Sequence, residues 1–215
     1  MKDLLKQIIL EQQEILHLSD RVYVQRHIED EWLRTTEILI LSGIRRCGKS
    51  VLMQQLRDRL QEKDFFFNFD DERLANFKLE DFQTLQECFY ELFGEQHTYY
   101  FDEIQNIEGW ERYVRRLYNE GNKIIITSSN ARMLSRELGT HLTGRYIHAE
   151  IYPFSFKEYL QMREVALTDK TLYTTAGRAL MMNEFSNYLA NGGFPKYIQE
   201  RSTSYLSSLY ESIIY

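Results

Sequence analysis

The chain has 215 residues, of which 43% are hydrophobic and 27% charged, and its formal net charge is −6. This composition is typical of a globular protein, and the net negative charge argues against nucleic-acid binding through the whole surface. The apolar runs are too short to span a bilayer, and the N-terminal residues lack a signal-peptide core. The only two cysteines, Cys47 and Cys88, are expected to be free thiols in a reducing cytosol. We therefore expect a cytoplasmic protein without a membrane partner.

The first 34 residues form a predicted N-terminal helical segment. Apolar residues recur at helical spacing in both halves, and Ser19-Asp20 resembles a break with an N-cap. Residues 23–26 stand just before the first predicted strand, and we expect any adenine contact to come from there.

A strand, a glycine-containing loop and a helix follow in that order. Residues 37–42 are a short apolar run, as in a buried parallel strand, and residues 51–60 have apolar side chains at helical spacing. Between them, Gly43-Ile44-Arg45-Arg46-Cys47-Gly48-Lys49-Ser50 matches the phosphate-binding pattern G-x-x-x-x-G-K-[ST] without a mismatch.

Strands and helices then alternate up to residue 151. Strands are predicted at 65–70, 98–103, 123–128 and 146–151, and helices at 79–93, 109–119 and 131–138. Such alternation predicts an α/β fold whose parallel sheet has helices on both faces. Ligands then bind at the carboxyl ends of the strands, where we expect every candidate side chain to lie.

The loop at 43–50, here called the phosphate loop, would bind a nucleotide through fixed positions. Its glycines let the backbone approach phosphate, and its amides and the following helix N-terminus attract negative charge. Lys49 would bridge the β- and γ-phosphates, and the Ser50 hydroxyl would bind Mg²⁺. The predicted nucleotide-binding residues are Gly43, Arg46, Cys47, Gly48, Lys49, Ser50 and Val51.

Two adjacent acids, Asp102 and Glu103, close the third predicted strand. A nucleotide hydrolase with a phosphate loop needs a carboxylate there to hold the Mg²⁺ shell, and Asp102 fits that role. Glu103 fits the general base that polarises the attacking water. Without the phosphate loop, the pair would more simply be interpreted as a solvated turn.

Two further candidates come from the ends of later elements. Strand four ends Thr127-Ser128-Ser129-Asn130, and either Ser129 or Asn130 could contact the γ-phosphate or the attacking water. Both would serve equally well as an N-cap for the next helix. Arg145, just before strand five, could act as an arginine finger or simply as a surface ion-pair residue.

After Pro153 the strand pattern stops. Helices are predicted at 154–162, 171–190 and 203–215, with a sharp loop at 192–195. We therefore predict an N-terminal segment at 1–34, a P-loop ATPase core at 35–153 and a helical segment at 154–215. The last segment is expected to begin a truncated second domain of a longer protein.

Taken together, several runs resemble the prokaryotic AAA-type ATPases of the AAA_14 group. They are the phosphate loop, Tyr100–Gln105, Thr127–Asn130, Leu142–Arg145, Tyr152–Tyr159 and Asn191–Pro195. The resemblance implies a five-stranded parallel sheet of order 5-1-4-3-2, with ATP and Mg²⁺ as ligands. It also implies a C-terminal domain of the DUF4143 type. Ser128 stands where the group often has glycine, so both strand-four candidates stay open.

The sequence thus predicts a Mg²⁺-dependent ATPase that couples turnover to a conformational change. Its target would be an unidentified protein or DNA partner, and oligomerisation is possible. An alternative is a regulatory or DNA-associated nucleotide-binding module with little catalysis. A phosphotransferase fits less well, because the acid pair supplies a base for water. A GTPase would need Asn-Lys-x-Asp, and Asn122-Lys123-Ile124-Ile125 lacks the aspartate.

Overall fold

The computed structural model describes residues 1–17, 24–129 and 142–214. Five strands form one sheet in the order β2-β3-β4-β1-β5. All neighbouring strands pair in parallel. The predicted α/β class and strand order are confirmed. The strands are β1 (Ile38–Ser42), β2 (Phe66–Asn68), β3 (Thr98–Asp102), β4 (Lys123–Ser128) and β5 (Tyr146–Glu150).

The helices before and between the strands follow the apolar patterns, with small shifts at their ends. In chain order they are α1 (Lys2–His17), α2 (Asp30–Arg34), α3 (Lys49–Arg59), α4 (Asp81–Phe93) and α5 (Trp110–Asn119), with short 3₁₀ turns at Glu72–Leu74 and Ile104–Asn106. Residues 24–29 are not helical, because their apolar residues suit an extended chain as well. The predicted break at 19–20 and helix at 131–138 lie outside the described residues.

Five more helices follow β5: α6 (Phe156–Met162), α7 (Asp169–Tyr173), α8 (Thr175–Asn191), α9 (Pro195–Glu200) and α10 (Thr203–Ile214). The single helix predicted at 171–190 is wrong, because Thr174 ends α7 and caps α8 by accepting from the Gly177 amide at 3.0 Å. The pattern missed α9, a six-residue helix with proline in its first turn.

The described residues form two compact units. The first contains 1–17, 27–43, 49–129 and 142–150, and the second contains 24–26, 44–48 and 151–214. The predicted segments at 1–34, 35–153 and 154–215 stay a prediction. None of the helices in the described parts combines the length and apolar character that a bilayer span requires.

In the first unit, helices cover both faces of the sheet. On one face, α1, α4 and α5 bury an aromatic-rich core in which Phe65 stacks on Phe89 with ring centroids 4.9 Å apart. On the other face, α3 packs on β1 and β4. The side-chain amide of Gln12 in α1 pairs with the Asn68 amide and carbonyl at 2.9 and 3.0 Å. It thereby satisfies backbone groups of the edge strand β2.

The second unit has its own small core, formed by Val24, Phe154, Tyr159, Leu160 and Ile198. Gly193 is required there, because a Cβ at this position would lie 2.1 Å from the Phe154 carbonyl oxygen.

Candidate functional site

The first unit brings three polar chain segments together at the carboxyl edge of its sheet. Because β3, β4 and β1 are neighbours and parallel, their carboxyl ends lie side by side. Asp102 ends β3, Ser128 ends β4, and Ser42 ends β1 directly before Gly43. Ser42 and Ser128 are register partners. The acid pair and the end of β4 therefore lie next to the chain that enters the phosphate loop.

Lys49 and Ser50 form the first turn of α3 and contact the acid pair. Lys49 is 4% exposed, and its Nζ donates to the Gly43 carbonyl at 3.1 Å and lies 3.6 Å from Glu103 Oε1. The Ser50 hydroxyl donates to Asp102 Oδ1 at 3.1 Å. The structure thus brings together four residues that the sequence singled out: Lys49, Ser50, Asp102 and Glu103.

Asp102 is a buried carboxylate that accepts hydrogen bonds from two hydroxyls. Besides Ser50, the Thr127 hydroxyl donates to the same oxygen, Oδ1. Burial raises the pKa of Asp102 above its ordinary value, and the two hydrogen bonds only partly oppose this. The nearby Lys49 charge also lowers the pKa of Asp102, but by less than burial raises it. A buried carboxylate of this kind is stabilised when a cation binds beside it.

Glu103 is held in an unusual backbone conformation beside β4. Its φ and ψ are 51° and 40°, in the left-handed region, which costs a non-glycine residue about 1–2 kcal/mol. Its amide donates to the Thr127 hydroxyl at 3.0 Å. Thr127 therefore connects the two acids, accepting from the Glu103 backbone and donating to the Asp102 side chain.

The Glu103 carboxylate is kept ionised by its neighbours. Its Oε2 accepts from the Ser129 hydroxyl at 2.7 Å, from the Ser129 backbone amide at 3.2 Å and from the side-chain amide of Gln105. Burial alone would raise the pKa of Glu103, but the Ser129 hydrogen bonds, the Lys49 charge and Gln105 hold it below its ordinary value. A carboxylate that stays ionised can accept a proton, as a general base must.

The donor chemistry of this cluster fits Mg²⁺. The Ser50 hydroxyl and the Asp102 carboxylate are hard oxygen ligands, which Mg²⁺ prefers while keeping several waters. The Ser50 hydroxyl oxygen and Asp102 Oδ1 lie 3.1 Å apart, and a cation between them would stabilise the buried carboxylate of Asp102. The described ranges contain no cluster of three or more histidine, cysteine or acidic side chains that could hold a metal ion.

A Ser129→Ala variant is expected to need a higher pH for half-maximal ATP turnover. The hydroxyl lowers the Glu103 pKa, so its loss moves the acidic limb of the pH–rate profile upward. The lowered pKa of Glu103 also contributes to the free energy of unfolding, and this contribution is lost as the pH falls through the folded-state pKa. Profiles of kcat for Ser129→Ala and for the exposed-helix control Ser186→Ala would test this. An unshifted limb in Ser129→Ala contradicts it.

The middle of the phosphate loop belongs to the second unit. Arg46 and Gly48 have φ values of 66° and 103°, and left-handed residues turn successive backbone N–H groups toward a common side. Cys47 is fully buried, and its thiol donates to the Ile151 carbonyl at 3.2 Å. The Arg46 guanidinium lies 5.4 Å from the centre of the Tyr205 ring. Phosphate binding by this stretch and by Val51 stays a prediction.

Arg145 lies at the opposite edge of the sheet from the acid pair. Its carbonyl accepts from the amide of Ile38, the first residue of β1, at 2.9 Å. A five-residue strand separates that edge from the carboxyl edge by roughly 16 Å. The expectation that every candidate lies at the carboxyl ends is therefore wrong for Arg145, because this residue precedes its strand. Its finger role stays a prediction that requires a nucleotide on another chain.

Sequence reasoning left Ser129 and Asn130 as alternatives and missed two other residues. Ser129 contacts Glu103, whereas Asn130 lies outside the described residues. Thr127 and Gln105 were not singled out, although both contact the acid pair. The available signal for Thr127 was a polar residue inside the apolar run of β4, and for Gln105 its position two residues after Glu103.

The fold and this cluster define a class. A parallel sheet of this strand order, a G-x-x-x-x-G-K-S loop after β1 and an acidic end to β3 are the features of a P-loop nucleotide-binding domain of the AAA type. Residues 35–160 match the family model AAA_14, described as an AAA domain. The chain belongs to this family.

Two curated relatives cover nearly the whole chain. The uncharacterized protein MJ1544 of Methanocaldococcus jannaschii is 33% identical over 196 residues, which are 91% of this chain and 43% of the relative. An uncharacterized protein of Haemophilus influenzae is 36% identical over 211 residues, 92% of this chain and 49% of the relative. The chain thus spans less than half the length of these relatives. The solved structure of C. elegans PCH-2 aligns with 74% of this chain and 45% of its own, at 14% identity and a TM-score of 0.43.

Proposed function

We propose that this chain binds ATP with Mg²⁺ and hydrolyses it, and that turnover drives a conformational change. The observation that carries the proposal is the contact of both phosphate-loop side chains with the acid pair. Ser50 reaches Asp102 at 3.1 Å, and Lys49 lies 3.6 Å from Glu103.

Ser50 and Asp102 would hold the metal. A bound Mg²⁺ would supply positive charge against the negative charge of the phosphates. Asp102 supplies the negative charge, and Thr127 fixes its carboxylate by donating to Oδ1. Because burial raises the pKa of Asp102, a cation bound beside it would favour its ionised form.

Lys49 would bind the phosphate chain, and Glu103 would activate water. The buried Lys49 ammonium can pair with phosphate oxygens in place of its present contacts with Gly43 and Glu103. The Glu103 carboxylate would accept a proton from water as the water oxygen bonds to the γ-phosphorus. The bond between that phosphorus and the β–γ bridging oxygen breaks, so that ADP leaves and inorganic phosphate forms. Ser129 orients that carboxylate through its hydroxyl and its amide.

Adenine is favoured over guanine because Asn122-Lys123, the one pair that could begin a guanine-reading Asn-Lys-x-Asp motif, makes other contacts. The Asn122 amide is buried and donates to the Leu117 carbonyl at 3.0 Å. Lys123 Nζ donates to the carbonyls of Trp32, Leu33 and Thr35. Both residues stand at the start of β4, at the edge opposite the acid pair, where they cannot read a base bound beside the phosphate loop.

A nucleotide-binding assay tests this function. Wild type is expected to bind Mg²⁺–ATP more tightly than Mg²⁺–GTP and to hydrolyse ATP slowly. A Lys49→Ala variant is expected to lose about tenfold or more in ATP affinity, because a charge-assisted contact to phosphate is removed. Titration calorimetry measures nucleotide affinity, and phosphate release measures hydrolysis. Lys63→Ala, at an exposed position, is the control. Equal binding of ATP and GTP contradicts the choice of nucleotide, and wild-type ATP binding by Lys49→Ala contradicts the site.

For the longer protein, we propose that residues 154–215 lead into a second domain of the DUF4143 type. The support is the resemblance of residues 191–195 to the segment that opens such a domain, and the greater length of the relatives. That domain would carry the contact with a protein or DNA partner.

A further inference from the structure

Arg26 has a mostly buried side chain, whose guanidinium donates hydrogen bonds to three acceptors within the second unit. Its Nη1 donates to the Cys47 carbonyl at 2.9 Å, in the middle of the phosphate loop. Its Nη2 donates to the Tyr152 carbonyl at 2.9 Å, and its Nε donates to Glu158 Oε1 at 3.1 Å. The Arg26 side chain is therefore bonded to the phosphate loop itself, and the expectation that residues 23–26 contact adenine stays a prediction.

Glu158, in the first turn of α6, holds this guanidinium in position. Glu158 neutralises its charge, and the other Glu158 oxygen accepts from the Ser155 amide and hydroxyl at 2.8 and 2.9 Å, as part of the α6 capping box. The Arg26 guanidinium also lies 5.4 Å from the centre of the Phe154 ring. Because the side chain is 9% exposed and paired, Arg26 acts through geometry rather than as a free positive charge for phosphate.

The bond to Cys47 has a geometric consequence for the next residue. In a planar trans peptide, the carbonyl of one residue and the N–H of the next point in opposite directions. A donor that holds the Cys47 carbonyl on one side therefore directs the Gly48 N–H to the other side. The Cys47 thiol donates to the Ile151 carbonyl at 3.2 Å and anchors the same residue a second time.

Gly48 leaves room for this arrangement. Its φ is +103°, which side chains rarely adopt, and a Cβ there would lie 3.3 Å from Arg26 Nη1. The second glycine of the phosphate loop thus accommodates both the backbone turn and the approach of the guanidinium.

We infer that Arg26 is a positioning residue for the phosphate loop: by holding the Cys47 carbonyl, it presents the Gly48 amide to the phosphates of a bound nucleotide. This inference rests on the proposed nucleotide binding. It also makes the orientation of that amide depend on α6, through Glu158 and Phe154. Arg26 contributes to the binding of phosphate and not of the nucleoside.

An Arg26→Lys variant tests the inference, because lysine keeps the charge but donates from a single nitrogen and cannot reach all the acceptors that Nε, Nη1 and Nη2 of arginine reach. The dissociation constants of Mg²⁺–ATP and Mg²⁺–ADP and the KM for ATP are expected to rise about tenfold, the effect of losing one charge-assisted hydrogen bond. The affinity for adenosine, which has no phosphate, is expected to stay unchanged, and kcat to change less than KM. Arg178→Lys, an exposed substitution in the same unit, is the control.

The outcomes separate this inference from the proposed function. If wild type fails to bind ATP, both are overturned. If wild type binds ATP and Arg26→Lys binds it equally well, with only a lower melting temperature, the inference alone is overturned. The inference alone is also overturned if Arg26→Lys loses affinity for adenosine and for ATP by the same factor. Should Arg26→Lys not fold, Glu158→Gln replaces it, since glutamine still suits the helix cap while the ion pair is lost. A several-fold weaker ATP affinity is expected there, and an unchanged one overturns the inference.

Discussion

A Glu103→Gln variant is expected to bind Mg²⁺–ATP within a few-fold of wild type but to hydrolyse it at least about 100-fold more slowly, the usual cost of losing a general base. Glutamine keeps an oxygen that can accept from the Ser129 hydroxyl and amide, so the local structure should persist. It cannot take up a proton from water at neutral pH. The loss therefore falls on kcat and not on binding.

Single-turnover hydrolysis and equilibrium binding measure these two quantities separately. Glu108→Gln, an exposed glutamate on the same connection after β3, is the matched control and should behave as wild type. Wild-type turnover by Glu103→Gln would contradict the base assignment. Loss of binding together with turnover would mean that Glu103 mainly maintains the site through Lys49.

An Asp102→Asn variant is expected to become as stable as wild type or more stable, while its Mg²⁺-dependent turnover falls about 100-fold, as when a charge-stabilising group is removed. The amide oxygen can still accept from Ser50 and Thr127. Burial raises the pKa of Asp102, so its ionised form at neutral pH costs folding free energy that the uncharged amide does not. Gain of stability with loss of activity is the expected mark of a metal-binding carboxylate.

Thermal unfolding without nucleotide, and turnover over a range of Mg²⁺ concentrations, would measure both effects. Asp169→Asn, an exposed position in the second unit, controls for the change in net charge. If the Mg²⁺ dependence of Asp102→Asn matches that of wild type, Asp102 is not a metal ligand. If the variant unfolds at a much lower temperature, the carboxylate stabilises the fold instead.

The sequence predicted the strands well because each is a local feature. The run Lys123–Ser128 was expected as a strand and forms β4 with the same bounds, since consecutive branched apolar residues suit a buried parallel strand. The helices after β5 were harder to place. Thr174 interrupts one helical pattern with a cap. The six residues of α9 are fewer than the roughly 11–18 over which helical periodicity is recognised.

The candidate site was partly predictable for the same reason. The phosphate loop and the acid pair are contiguous motifs, so their roles could be proposed from spacing alone. Thr127 and Gln105 could not be selected, because their contacts with the acids depend on how β3 and β4 align. The position of Arg145 was predictable, because a residue that precedes a strand of a parallel sheet lies at the amino ends of the strands, as the parallel pairing of β5 with β1 shows.

By itself, the sequence determined the alternation of apolar strands and amphipathic helices, the phosphate loop and the acidic end of β3, because these follow from neighbouring residues. Only the tertiary structure decided that Thr127 connects the two acids, that Ser129 holds Glu103, and that Arg26 is bonded to the Cys47 carbonyl. Those contacts join residues that are far apart in the chain. Strand order, register and packing bring those residues together, and a local sequence pattern does not reveal any of the three.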